Sequence, residues 1–128
     1  IGKINMLDAT VIKTSSSHLT LKVAGLGEVT VPARDGIKVN DRGVMAVRPE
    51  QIRMVAQTSE IADEFQFTGK IKDFFYIGDV TTYIIDLANS TRIEALLPNS
   101  LPGHAKLFEI GDPIIVSWQE QSAQFLLN

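Results

Sequence analysis

At 128 residues the chain is the size of one domain, able to bury roughly two-thirds of its unfolded surface without a covalent staple. Its 45% hydrophobic and 21% charged make-up is that of an ordinary globular chain, and the absence of cysteine excludes disulfides and thiolate metal sites. A net charge of -3 excludes the broad basic field of an indiscriminate nucleic-acid binder, and no apolar run exceeds four residues, against the ~20 of a membrane-spanning helix.

Short alternating or apolar runs predict about ten strands, at residues 6–12, 19–23, 29–31, 44–47, 52–55, 65–71, 80–87, 93–97, 114–118 and 125–127. Turn chemistry separates them: Ser15-Ser16-Ser17, Gly25-Leu26-Gly27, Asp35-Gly36, Asn40-Asp41-Arg42-Gly43, Gly78-Asp79, Asn89-Ser90 and Gly111-Asp112-Pro113. In the sixth run Phe65, Phe67, Gly69 and Ile71 take one face, and the phase breaks at Asp73-Phe74-Phe75, predicting a bulge or barrel corner there, with Gly69 a second bend point. The polar residues 57–64 read as a connector with one helical turn. Trp118 is expected to close one end of the core with its N–H on a backbone carbonyl.

The strongest pattern is a duplication. Residues 19–23, 29–32 and 40–47 are echoed by 82–86, 93–98 and 111–116, at an offset that grows as an insertion at 98–106 would make it. The expectation is an all-β fold, an OB-type β-barrel built from two similar halves, about 1–56 and 65–128, within one domain 1–128. The chain opens at Ile1 without methionine in a strand-like segment, which suggests a piece of a larger protein.

Catalytic and cofactor motifs are missing from this sequence. There is no G-x-x-x-x-G-K-[ST] to cradle ATP, no G-x-S-x-G and no cysteine nucleophile; His18 and His104 lie far apart. No catalytic, cofactor or metal residue is therefore assigned, and the fragment is read as a non-enzyme. Acidic groups at Glu60, Asp63 and Glu64 and at Glu109 and Asp112 read as solvated loops that could also attract a polycation. Ser15, Ser16, Ser17 and His18 are weak ligand candidates, since hydroxyls at a hairpin tip can present to an anion. A structural or interface role falls to Arg48, Pro49 and Glu50, because proline removes a ladder donor and marks a strand corner that Arg48 would tie by a charge-assisted bond. It falls likewise to Tyr76, Gly78 and Asp79, where glycine accepts φ > 0 and aspartate bonds the backbone two residues on.

These strings also carry a resemblance. Ile4-Asn5-Met6-Leu7 with Ala9-Thr10-Val11, then Val47-Arg48-Pro49-Glu50 with Ile52-Arg53, then Gly69 followed by Tyr76-Ile77-Gly78-Asp79 and Tyr83, and finally Gly111-Asp112 leading to Val116-Ser117-Trp118 resemble, in order, the transport-associated OB (TOBE) domain. That domain ends the ATP-binding subunits of bacterial ABC importers, and the likeness is greatest to the spermidine/putrescine branch. The resemblance implies a regulatory or dimerising domain on the inner face of the cell membrane, in the cytoplasm. ATP and Mg would belong to the missing domain of the parent. The partners implied are the parent ATPase domain, the membrane subunits, a second copy and a sensed solute. Two other readings compete: a small-ligand (oxyanion) binding module, and a reader of single-stranded nucleic acid. The latter is disfavoured, since Lys70 and Lys72 lie opposite Phe65 and Phe67, and no nucleic-acid partner is expected.

Overall fold

A computed structural model describes residues 3–57, 65–98 and 108–128. They form β1 (Asn5–Thr14), β2 (His18–Val23), β3 (Gly27–Pro32), β4 (Arg42–Val47), β5 (Arg53–Ala56), β6 (Phe65–Ile77), β7 (Val80–Leu87), β8 (Arg92–Pro98), β9 (Pro113–Trp118) and β10 (Ala123–Leu127). Single 3₁₀ turns lie at Pro49–Gln51, Ala88–Ser90 and Glu120–Ser122. Residues 58–64 of the connector expected at 57–64 and 99–106 of the excursion expected at 98–106, with Glu60, Asp63, Glu64 and His104, lie outside the described residues.

Two antiparallel five-stranded sheets have the same layout, β10-β4-β1-β2-β3 and β5-β9-β6-β7-β8. Each half supplies four consecutive strands to its own sheet and sends the fifth to the other. β5 pairs with β9, and β10 pairs with β4. The sheets curl into half-barrels of OB type. In the first, β10 comes round to lie against β3, and Arg34 donates from Nη1 to the Phe125 carbonyl at 2.8 Å, tying the seam.

The halves repeat down to single hydrogen bonds. The Val11 N–H donates to the Asp41 carbonyl at 2.9 Å, as Ile71 does to Asp112 at 3.1 Å. Asp41 Oδ2 accepts from the Lys38 N–H, and Asp112 Oδ2 from the Glu109 N–H, each at 2.8 Å. The residue before each aspartate takes φ > 0, Asn40 at 76° and Gly111 at 91°, so two different residues with access to the left-handed region make one turn. Each first strand carries one bulge at the same place, between Val11 and Lys13 and between Ile71 and Asp73.

That second bulge lies at Lys72, ahead of the phase break at Asp73-Phe74-Phe75 that the sequence shows. The break is the consequence, because side chains after a bulge alternate in the opposite phase. The duplication is also registered differently from the sequence echo. Leu19 faces Val31 as Tyr83 faces Ala95, so residues 19–23 correspond to 83–87, one residue later than the sequence echo. Thr81 and Thr82 are buried beside Tyr83, and this blurs the alternation on which the echo was aligned.

One core joins both sheets, with Val11, Leu21, Val31, Met45 and Phe125 from the first and Ile71, Ile85, Ala95, Ile114 and Val116 from the second. Trp118 is buried, stacked on Phe67 with ring centroids 5.1 Å apart. Its Nε1 has no hydrogen-bond partner among the described residues, contrary to the expected carbonyl contact. The flat ring packing against Phe67 fixes the indole where its apolar area is best covered, and the N–H follows.

Candidate functional site

The residues singled out from the sequence fall at three places. Arg48, Pro49 and Glu50 turn the corner between β4 and β5. Pro49 is buried and starts the 3₁₀ turn, where its missing donor costs nothing, and the Gln51 N–H closes the turn on the Arg48 carbonyl at 2.9 Å. The tie expected from the Arg48 side chain is absent: it is exposed and bonds to no other described residue. The backbone closes the corner, which leaves the guanidinium on the rim of a groove.

That groove, about 400 Å³, lies between the two equivalent 3₁₀ turns and is lined by Ile4, Arg48, Gln51, Gln119, Gln121 and Gln124 among others. Its polar groups partly satisfy one another: Ser122 Oγ donates to Gln51 Oε1 and Gln121 Nε2 to Gln119 Oε1, each at 3.0 Å. A wider open cleft of about 850 Å³ is lined by Asp8, Thr10, Lys22, Gly25 and Arg42 at the other end of the first sheet.

Ser15, Ser16, Ser17 and His18 close the β1–β2 hairpin and are mostly engaged within it. Ser15 Oγ accepts from the His18 N–H at 3.0 Å, and Ser17 Oγ lies 2.8 Å from His18 Nδ1. His18 Nε2 in turn lies 2.9 Å from Glu120 Oε2, whose other oxygen accepts from Thr30 Oγ1 at 2.6 Å. This cluster ties the first sheet to the 3₁₀ turn that precedes β10. Glu120 and Thr30 were not singled out in the sequence, because nothing local marks residues 90 positions apart as partners.

Tyr76, Gly78 and Asp79 stand at the β6–β7 hairpin. Gly78 has φ 58° and Asp79 does not share the positive φ, the pattern of a two-residue II′ turn between Ile77 and Val80. Tyr76 is exposed and meets Phe74 edge-on at 5.7 Å. The aromatics Phe65 and Phe67 turn toward Trp118, away from the exposed Lys70 and Lys72, so neither ring serves as a platform beside those lysines.

One more cross-sheet contact escaped sequence reading. Asn5 is buried at the start of β1 and pairs like a strand with the β8 edge, donating from Nδ2 to the Glu94 carbonyl and accepting the Glu94 N–H at Oδ1, both at 2.8 Å. On the surface, the Arg92 guanidinium bonded to Asp86 at 2.8 Å holds that carboxyl below its ordinary value. Among the described residues no group of three or more His, Cys, Asp or Glu could hold a metal ion, and no helix is long and apolar enough to cross a membrane.

The chain has close relatives of known name. Over 126 residues, 98% of this chain, it is 53% identical to the spermidine/putrescine import ATP-binding protein PotA of Nitrosospira multiformis, and 51% identical over its whole length to that of Nitrosomonas europaea. The chain spans only 35% and 36% of those proteins. Among solved structures it is similar to the cytoplasmic molybdate-binding protein ModG, with a TM-score of 0.78 over 97% of this chain and 96% of that one, at 10% identity, a likeness of fold. The model of the TOBE domain matches residues 45–126, through the corner at Arg48, the β6–β7 hairpin and the exchanged β10. The chain belongs to the TOBE domain family.

Proposed function

We propose that this chain is the C-terminal regulatory domain of the ATP-binding subunit of an importer for spermidine or putrescine, working as one unit over residues 1–128. The observation that carries this is end-to-end similarity, 53% over 98% of the chain, to proteins named for that import. The P-loop and its lysine are missing from this sequence, so ATP and Mg are held by the rest of the parent, at the cytoplasmic face of the membrane beside the transporter's membrane subunits. The domain acts through contacts with its parent ATPase domain and with a second copy, and senses the imported solute. Import ATPases work as pairs, and a domain that shifts the opening equilibrium by ~1–3 kcal/mol changes transport several-fold or more. The test compares ATPase activity of the intact and truncated transporter across a spermidine series. Basal hydrolysis is expected to persist on truncation while inhibition by spermidine weakens; superimposable inhibition curves would remove the sensing role.

A second reading rests on Arg48, whose side chain bonds to no described residue. A cation on the rim of a glutamine-lined groove suits a small oxyanion. Ser15, Ser17 and His18, the earlier candidates for such a ligand, are engaged with one another and with Glu120. Calorimetric titration with molybdate and sulfate, on wild type and Arg48→Ala, tests it: binding lost in the variant supports the reading, and no heat with either anion refutes it.

A further inference from the structure

Among the described residues, the two halves differ in length at one hairpin. Thr14 and Leu19 face each other across the β1–β2 hairpin, and four residues lie between them, Ser15 to His18. At the equivalent place Phe74 faces Tyr83 with eight between, so the β6–β7 hairpin is longer by four. The polar tip of the first half becomes Phe75, Tyr76 and Ile77 in the second, and these are 49%, 57% and 62% exposed. The fold does not require them, since the sister hairpin closes with serines that bond within the tip. Phe75 and Ile77 point to one face of the strand and Tyr76 to the other, so the tip is apolar on both sides.

Its position says what covers it. Asn5 bonds the backbone of Glu94, Glu94 faces Ile84, and Ile84 faces Asp73, one row running across the second sheet. β6 runs on past that row from Phe74 to Ile77, on the order of 13 Å at a strand's rise. The relatives are about three times as long as the stretch matched, and this chain matches their C-terminal part. A polypeptide that precedes Asn5 therefore reaches the domain in the row from which the apolar hairpin projects.

We propose that the Phe75-Tyr76-Ile77 tip is a docking surface for the preceding, ATP-binding part of the same polypeptide. This deepens the reading above and rests on its claim that such a part exists. Three consecutive large apolar side chains exposed at one tip, where the others exposed among the described residues (Ile4, Met6, Val39, Ile110 and Leu127) form no such run, mark a protein contact. Docking at the root of the entering chain needs little linker, so the effective concentration of the partner surface is high.

The experiment uses the full-length parent, freed of other cysteines, with Asp79→Cys beside the tip and, separately, Ser16→Cys on the sister tip as the exposed reference. This domain has no cysteine of its own. Maleimide labelling at Asp79→Cys is expected to run about tenfold slower than at Ser16→Cys, and adding F75S/Y76S/I77S should restore the reference rate, a tenfold change corresponding to about 1.4 kcal/mol of docking. Y76S alone gives a milder variant, and matching circular dichroism shows that each is folded. Equal rates at the two probes overturn the proposal. Protection that disappears on dilution to monomer overturns it in favour of a second copy, and protection seen only in reconstituted membranes overturns it in favour of lipid or a membrane subunit. The readout is independent of spermidine, so docking can stand where solute sensing fails, and the reverse.

Discussion

Replacing Asn5 with alanine tests whether a single side chain clamps the two sheets together. The substitution removes two hydrogen bonds of 2.8 Å and leaves the Glu94 N–H and C=O without that partner at a part-buried edge. A made bond contributes about 0.5–1.5 kcal/mol net, and a buried group left unpaired costs about 1–3 kcal/mol, so the loss expected for Asn5→Ala is about 2–3 kcal/mol. Urea unfolding should show it as a lower midpoint with an unchanged slope. Asn5→Asp sharpens the test, because it keeps the acceptor for the Glu94 N–H but turns a carboxylate toward the Glu94 carbonyl. Burial and that carbonyl raise the folded-state pKa of the introduced carboxyl above its unfolded value near ~3.9, since only the protonated form donates. The penalty is therefore absent below the unfolded value, sets in as pH rises through it, and is complete above the raised folded value. Above that value the carboxylate variant should be no more stable than Asn5→Ala, and at acid pH it should recover toward wild type. A cost under about 0.5 kcal/mol for Asn5→Ala, the range of ordinary surface changes, would refute the clamp.

Three further outcomes are expected. Gly25→Ala should cost well over ~1 kcal/mol, because a Cβ there runs into Thr91 Oγ1 and the alanine also has to adopt a φ of +81°; Gly78→Ala, with φ +58° and open space, should cost only about 1 kcal/mol by thermal unfolding. Arg34→Ala should destabilise by about 1–2 kcal/mol through loss of the seam bond to Phe125, whereas Arg48→Ala should stay within about 0.5 kcal/mol, and the reverse order in urea would overturn the assignment. Phe125→Ala should cost about 3–5 kcal/mol and move the fluorescence transition of Trp118, the only tryptophan, by the full amount although it lies in the other sheet; an unmoved Trp118 transition would mean independent halves.

Much of the barrel was readable because its signals are local. Alternation is enforced wherever one face of a strand is buried, and all ten strands lie where alternating or apolar runs predict them. Asn40-Asp41 and Gly111-Asp112 announced equivalent turns because left-handed backbone admits few residue types. The contacts that join the halves were hidden. Asn5 to Glu94, Thr30 to Glu120 and Arg34 to Phe125 each span about ninety positions, and nothing in a polar residue's neighbourhood tells which distant carbonyl it will meet. Arg48 misled for the same reason. Its place before Pro49 correctly marked a corner, but the corner's hydrogen bonds are met by backbone, so the side chain inferred to serve the fold is left facing outward.

The exchange of β5 and β10 explains why a duplicated sequence yields one object rather than two. A four-stranded half without its guest strand would expose the β4 or β9 edge and the apolar faces of Met45 or Val116 beneath it. Each half therefore completes the other, and the same 3₁₀ turn that launches the departing strand also packs on the far sheet, Pro49–Gln51 on β8 and Glu120–Ser122 on β3. Reciprocal completion removes the selective need for both halves to keep identical surfaces. The shared interior holds the fold, so an outer hairpin can change from Ser15-Ser16-Ser17 to Phe75-Tyr76-Ile77 without cost to the core. Function can then reside in what differs between the copies, while the repeated turns, bulges and inward faces carry the architecture. For the regulatory role proposed above, a rigid two-sheet body with a dissimilar hairpin is a suitable lever: displacing the tip moves both sheets together, because neither can open without losing the strand it borrows.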